Sequence, residues 1–374
     1  MINVLADRYI DQLSDYLHPE VNCIPFHPET GPDKKNLSQA DALLVRTVTR
    51  VDESLTAHAP RLAFVGTASA GSDHVDEDLL QKLGIRFESA PGCNARAVAE
   101  YVATAIVLWS EHRQKPFRSL SVGIVGAGKA GSEVGALLDH AGFKTLAYDP
   151  PRQQRDSGFH SASLPDILSC DVITLHLPLT RTGRNATAGW LDENKIRTSQ
   201  ARLFINCARG SIANEQALLE NKSVRGSDFI LDVWNNEPVF DDEVAHSAFI
   251  GTPHIAGYSL QGKLKATHMV TRALHHHFNL PDPGIDQAPV VEAVTGLRNS
   301  SSLTEILNRI HPVQQYYGQF KLLLGLPGDE KMIRFRRLRN DISLRNEFKH
   351  MRIQESLLRS NPLLRTLGLK SLSD

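Results

Sequence analysis

One stretch constrains this chain more than any other: Leu120-Ser-Val-Gly-Ile-Val-Gly126-Ala-Gly128-Lys-Ala-Gly131-Ser-Glu-Val-Gly135. An apolar strand runs through a tight small-residue turn directly into a helix, the local shape that a dinucleotide pyrophosphate needs. Each glycine has its own task. Gly126 permits the turn, Gly128 lets backbone approach the diphosphate with no Cβ in the way, and Gly131 lets helix and strand lie close. The diphosphate then meets backbone N–H groups and the positive end of the helix dipole. The next strand, Phe143-Lys-Thr-Leu-Ala-Tyr-Asp149, ends in an acid 18 residues after Gly131. Asp149 can accept from both ribose hydroxyls and repels a 2′-phosphate, which favours NAD over NADP. Arg152 follows two prolines and reads as an adenine-side or surface residue.

The chain has 374 residues, enough for two or three domains with their own cores. Its formal net charge of -1 provides no broad field for a nucleic-acid backbone. The first ten residues carry charge early and read as a strand, not a signal segment. The longest apolar stretch, Val102 to Trp109, is too short to span a bilayer. Cys23, Cys93, Cys170 and Cys207 lack metal-ligand spacing, so they are expected to be free thiols of a soluble cytoplasmic protein with no structural metal.

Short β-rich runs at Asn3–Ala6, Ala42–Arg46, Leu62–Gly66 and Ile85–Glu88 alternate with helical ones and suit a small parallel-sheet domain. A long apolar-periodic helix from Asn94 to about Glu111 leads into the glycine fingerprint, which opens a second sheet. Its later strands are marked at 171–176, 203–206, 228–232 and 249–252, and a doubly wound parallel sheet is the economical solution. A helix from about Leu260 to Asn279 ends at Pro281-Asp-Pro-Gly284, a boundary signal.

Chemistry concentrates at the ends of those later strands. Arg209 follows Asn206-Cys-Ala, where its planar fork can hold a 2-hydroxy or 2-oxo carboxylate; a surface arginine is the plainer alternative. Asp232 closes the next strand and can receive a nicotinamide amide, fix a nearby loop or serve only as a cap. Glu237 is placed to partner His254, fixing its tautomer while the other ring nitrogen faces substrate. A structural histidine after Pro253 is the alternative. His176, in Leu175-His176-Leu-Pro178, has no nearby acid in sequence and fits a cofactor-side wall. The set suits oxidation of a secondary alcohol beside a carboxylate, with His254 as base and hydride passing to nicotinamide.

In order and spacing, the fingerprint with Asp149, His176-Leu-Pro-Leu-Thr180, Asn206-Cys-Ala-Arg209-Gly210, Asp232-Val-Trp-Asn-Asn-Glu237-Pro238 and Thr252-Pro-His254 resemble the D-isomer-specific 2-hydroxyacid dehydrogenases over about the first 280 residues. The resemblance implies Arg209, Glu237 and His254 as catalytic residues. It also implies NAD contacts from Gly126, Gly128, Lys129, Ala130, Gly131, Asp149, His176, Pro178, Thr180, Cys207, Ala208, Asp232 and Gly257. The implied architecture is α/β, two doubly wound parallel-sheet domains: a flavodoxin-like substrate domain at 1–93 and 257–285 and a Rossmann NAD domain at 94–256; a C-terminal α+β dimerisation domain at 286–374 is implied only by the narrower resemblance that follows. The family commonly has valine and aspartate where Ala213-Asn214 stands, and Asn214 can still cap a helix.

A narrower resemblance, to members acting on a phosphorylated 2-hydroxy acid, rests on Val45-Arg46-Thr47-Val48-Thr49, Phe64 to Asp76, and His254-Ile-Ala-Gly257-Tyr258-Ser-Leu-Gln-Gly-Lys263. Arg46, Thr47, Thr67, Tyr258 and Lys263 offer charge and directional donors for a phosphate, against the alternative of scattered surface polarity. Thr47 stands where the resemblance leads one to expect serine. Residues 331–352 carry eight Lys or Arg and two Asp or Glu among Ile333, Phe335, Leu338, Leu344 and Phe348. That mixture favours partner-chain packing in a homodimer, with some basic groups near a pocket. A family member acting on another substrate, such as phosphoglycerate, and an NAD-sensing corepressor are the alternatives; a pure sensor has no need of Arg209, Glu237 and His254 together.

Overall fold

The computed structural model describes residues 1–284 and 291–373. These form two compact units: Met1–Asn94 with the segment that starts at Leu260, and Ala95–Ser259 with residues 291–373. The expected boundary at 285–286 lies outside the described residues.

The first unit holds a five-stranded parallel sheet of β1 (Ile2–Asp7), β2 (Val21–Phe26), β3 (Ala42–Val45), β4 (Phe64–Thr67) and β5 (Arg86–Glu88), in the order β2-β1-β3-β4-β5. Its central strands are covered on both sides, so β3 is a continuous buried run with period-2 partition between two cores. Leu5, Leu43, Val45 and Val65 face Leu37, Leu55 and Leu80. Val4, Ala6, Leu44 and Phe64 face Ala266, Val270 and Leu274 of the helix Leu260–His277. Strand β2 has no clean alternation in sequence and contains Pro25. It is tolerated because it sits at the sheet edge, where a missing ladder donor costs least.

The second unit holds β6 (Ser121–Val125), β7 (Lys144–Tyr148), β8 (Val172–Leu175), β9 (Leu203–Asn206), β10 (Asp228–Leu231) and β11 (Ile250–Gly251), parallel, in the order β11-β10-β9-β8-β6-β7. The chain reverses direction across the sheet between β6 and β8, which makes a crevice at their carboxyl ends. Register brings Tyr148, Val125, Leu175, Asn206, Leu231 and Gly251 into one row. The residues that follow, Asp149, Gly126, His176, Cys207, Asp232 and Thr252, therefore share one edge. The helix Ala95–His112 is buried nearly all round, and its Trp109 Nε1 donates to Asp228 at 2.8 Å.

The C-terminal segment adds a small parallel sheet of β12 (Glu292–Ala293), β13 (Met351–Ile353) and β14 (Lys370–Ser371), in the order β12-β13-β14. Instead of keeping a separate core, its Ile306, Leu307, Phe348 and Leu364 join Val102, Ile106 and Leu137 in one cluster. Phe320 and Phe335 join Trp234 and Phe240 in another. Phe335 and Phe348, expected to pack on a partner chain, are thus buried within their own chain, whereas Ile333 is 65% exposed. No helix of the described residues is long and apolar enough to cross a membrane.

Candidate active site

The fingerprint turn is built as its glycines require. Gly126 has φ +90°, and a Cβ there would strike the backbone of His176 across the β6/β8 crevice. A Cβ on Gly131 would overlap the carbonyl of Gly126, so helix and turn interlock only with glycine at that position. Gly128 instead faces open space and caps the helix Lys129–His140 with no side chain on its amides. Lys129 and Ala130 open that helix. This is a cradle shaped for a dinucleotide pyrophosphate.

Asp149 accepts from Ala127 N at 2.9 Å and from Arg152 N at 2.9 Å, so it ties the turn to the end of β7. Two carboxylate oxygens offer about four acceptor sites, which leaves capacity for ribose hydroxyls. The Arg152 side chain folds back, donating to Ala127 O at 2.8 Å and Ser132 Oγ at 2.9 Å and lying over the Phe159 ring. Its cation is therefore part of the turn's framework, not a loose surface charge. Past β8, Thr180 N donates to Thr187 Oγ1 at 2.8 Å, and the Thr187 hydroxyl donates to Pro178 O. His176 bonds Thr174 Oγ1 at 2.9 Å, and burial pushes its imidazole down to about 3. A ring kept neutral at physiological pH fits a wall and not an acid/base.

Arg209, Glu237 and His254 stand on the loops after β9, β10 and β11, three adjacent strands. Asn206 braces the first loop: its side chain donates to Arg209 O at 2.9 Å and accepts from Ala208 N at 3.1 Å. The Arg209 Nη1 donates to Ala208 O at 2.8 Å. A Cβ on Gly210 would collide with the Trp234 carbonyl, so the first two loops touch through glycine. Glu237 uses both oxygens, accepting from Trp234 N at 2.8 Å and meeting His254 Nδ1 at 2.8 Å. Burial alone would raise that carboxyl, yet the charge and hydrogen bond of His254, the Trp234 N–H and Arg339 hold it below its ordinary value. It is an acceptor, so Nδ1 carries the proton and Nε2 is left to accept one. His254 keeps 32% of its side-chain exposure, enough to reach a bound molecule.

His254 adopts φ +60°, an uncommon region for a residue with a Cβ. Asp232 holds it there. Its carbonyl accepts from His254 N at 2.7 Å, and its carboxylate accepts from Ile255 N at 2.7 Å, Ala256 N at 2.9 Å and Thr252 Oγ1 at 2.7 Å. Burial lifts the Asp232 carboxyl above its ordinary value despite these donors and the nearby His254. Among the three readings of Asp232, the loop-fixing one is thus directly visible. Thr252, Tyr101, whose hydroxyl lies 2.7 Å from Thr252 Oγ1, and Trp234, whose Nε1 donates to Thr252 O at 2.8 Å, complete the support. None of these three supporting contacts had a motif to announce it, although Thr252 and Trp234 lie within conspicuous stretches.

The remaining expected residues divide between the units. Cys207 and Ala208 follow β9, and Gly257 and Tyr258 follow His254 in the second unit. Arg46, Thr47, Thr67 and Lys263 belong to the first. There Arg46 follows β3 and Thr67 ends β4, in neighbouring register with Val45 opposite Thr67. The buried Asp7, at the end of β1, accepts from Arg46 Nε at 3.0 Å, while Arg46 Nη2 is buried with no hydrogen-bond partner among the described residues. Thr67 is buried too, its hydroxyl bonded to Ser69 and His74. Thr47 is exposed.

Residues 96–256 match the D-isomer specific 2-hydroxyacid dehydrogenase NAD binding domain. The chain is 36% identical over 338 residues to an erythronate-4-phosphate dehydrogenase of Marinobacter nauticus, covering 86% of each chain. Against the same enzyme of Escherichia fergusonii it is 36% identical over 342 residues, covering 89% of this chain and 88% of that one. Among solved structures, the fold matches a putative D-isomer specific 2-hydroxyacid dehydrogenase from Polaromonas with TM-score 0.61 and 19% identity, over 75% of this chain and 98% of that one. It also matches a 3-phosphoglycerate dehydrogenase of Entamoeba histolytica with TM-score 0.61 and 20% identity, over 74% and 95%. With its glycine cradle, its strand-end acid and its carboxylate-bound histidine, the chain belongs to the erythronate-4-phosphate dehydrogenases, NAD-dependent oxidoreductases of the D-isomer specific 2-hydroxyacid dehydrogenase family.

Proposed function

We propose that this protein oxidises C2 of 4-phospho-D-erythronate to 3-hydroxy-2-oxo-4-phosphooxybutanoate, a step in pyridoxal 5′-phosphate synthesis. The observation that carries the chemistry is the Glu237–His254 contact of 2.8 Å on a turn held by Asp232. NAD, when bound at the glycine turn, supplies the hydride acceptor. His254 Nε2 takes the proton of the C2 hydroxyl while Nδ1–H stays on Glu237, whose carboxylate faces the ring as the second proton arrives. Arg209 orients the substrate carboxylate and steadies charge on the reacting oxygen. In reverse, the doubly protonated ring acts as acid. The substrate assignment draws on the curated relatives and on the unspent donor of Arg46 at the first sheet's own reversal point, between β1 and β3. We further propose a homodimer joined through the C-terminal segment, where Leu322 and Ile333 are 72% and 65% exposed.

The test is NADH formation by purified protein with 4-phosphoerythronate, 3-phosphoglycerate and unphosphorylated erythronate. The expected result is a kcat/KM for 4-phosphoerythronate well above the other two. A preference for 3-phosphoglycerate, or no turnover of any of them, would overturn the assignment.

A further inference from the structure

The helix Gly328–Asp341 lies in the C-terminal segment, which carries none of the residues assigned to the reaction above. Most of its arginines behave as surface residues: Arg334 pairs with Glu330, and Arg337 with Asp341, one turn away. Arg339 differs. Its guanidinium lies 6.0 Å from the Tyr258 ring centroid, and Tyr258 is the foremost group favouring its charged form. Tyr258 stands four residues after His254. The Arg339 Nε is buried with no hydrogen-bond partner among the described residues, and no carboxylate there lies within ion-pair distance of the group. A buried Nε–H with no acceptor leaves part of the half-buried group's hydrogen-bonding capacity unmet, a cost that an incoming anion would relieve.

We propose that Arg339, with Tyr258, is a specificity-determining residue of the active site and takes the phosphate of the substrate. The inference rests on the dehydrogenase reading above, and its chemistry follows from the group itself. A planar fork offers two parallel donors to a phosphate, and a tyrosine hydroxyl beside it fixes the direction of approach. Burial alone would lower the guanidinium, but Tyr258, Glu237 and Asp232 outweigh it, so the cation is secure and shares the field of the catalytic pair. The same field limits what can bind: a monoanion balances one arginine, whereas a phosphate dianion also has charge and acceptors for further donors.

Arg339→Met keeps the aliphatic stem and removes the fork. The expected result is a fall in kcat/KM for 4-phosphoerythronate of about 10- to 100-fold, the loss of one or two charge-assisted hydrogen bonds. Turnover of unphosphorylated erythronate should change less than about 3-fold, within ordinary surface-mutation effects, and NADH binding followed by fluorescence should be unchanged. Arg339→Lys should recover part of the loss by restoring charge without the fork. Equal proportional losses for both substrates would overturn the proposal and make Arg339 a support for Tyr258 or Glu237. Titration with inorganic phosphate separates this idea from the assigned reaction. Weaker phosphate binding by Arg339→Met than by wild type supports the site even if 4-phosphoerythronate is not turned over, and identical binding removes it.

Discussion

At the scale of single residues, the site is a set of strand-end groups whose roles differ by what already occupies them. Glu237 meets Trp234 N with one oxygen and the His254 ring with the other, so the effect expected of it on substrate passes through His254. His254→Ala should therefore lower kcat by about 10²- to 10⁴-fold, the usual span of general-base catalysis, with NADH affinity unchanged in a fluorescence titration. Glu237→Gln should cost less and should alter the pH–rate profile, since the amide still accepts but no longer brings a charge. An unaltered profile would separate Glu237 from the histidine's chemistry. Asp149→Ala should weaken NAD binding and narrow the preference over NADP in parallel titrations. It should also cost about 1 kcal/mol of stability, because Asp149 caps the helix Pro150–Arg155. The spacing of Gly126, Gly128, Gly131, Asp149, Arg209, Glu237 and His254 was readable in sequence because each follows a strong strand pattern. Arg339 was not: it sits among similar arginines, and only the folded chain distinguishes the one that turns inward.

At the scale of elements, two buried acids do structural service. Glu100, fully buried within the helix Ala95–His112, bonds Arg96, Arg345 and Phe348 N, and so ties that helix to the C-terminal segment. Burial lifts its carboxyl above the ordinary range despite both arginines. Glu100→Ala should destabilise by roughly 3–5 kcal/mol in denaturant unfolding, since it strands a buried guanidinium. Glu215, opening the helix Glu215–Arg225, accepts from Asn235 N at 2.7 Å and faces Glu237 and Asp241. Burial first, then those two carboxylates, raise it from 4.5 to about 7. The folded state thus holds this proton more tightly than the unfolded chain. Its cost is absent below pH 4.5, grows as pH rises, and reaches about 3 kcal/mol above pH 7. Glu215→Gln should accordingly melt higher than wild type at pH 8.5 and no higher at pH 4.5; equal melting at pH 8.5 would refute it. The long helices and central strands were legible from buried runs and periodicity. Edge strand β2, with its proline, and the two- and three-residue strands β12, β13 and β14 were not, because their pairing depends on distant chain and not on local pattern.

At the scale of the whole molecule, the C-terminal segment was expected as an association module and is also part of the nucleotide-binding unit's core. Deletion of residues 286–374 should therefore give insoluble protein instead of a clean monomer. The proposed dimer is better tested by Ile333→Asp, which changes an exposed apolar side chain and should shift sedimentation toward monomer without lowering the melting temperature. The same segment reaches the loop that carries Glu237. Trp234 stacks on Phe320 at 4.9 Å, Phe240 lies 4.5 Å from Phe320, and Phe335 closes the group. Tyr317 donates to Ala245 O and Ala248 O at 2.9 Å, and Lys331 bonds Asp242 at 2.6 Å. The aromatic stack thus acts as a keystone set outside the arch it locks. A shorter chain cut before this segment would keep Arg209, Glu237 and His254 and lose the wedge packed behind the Glu237 loop, so what began in sequence as an appendage has become the backing of that loop.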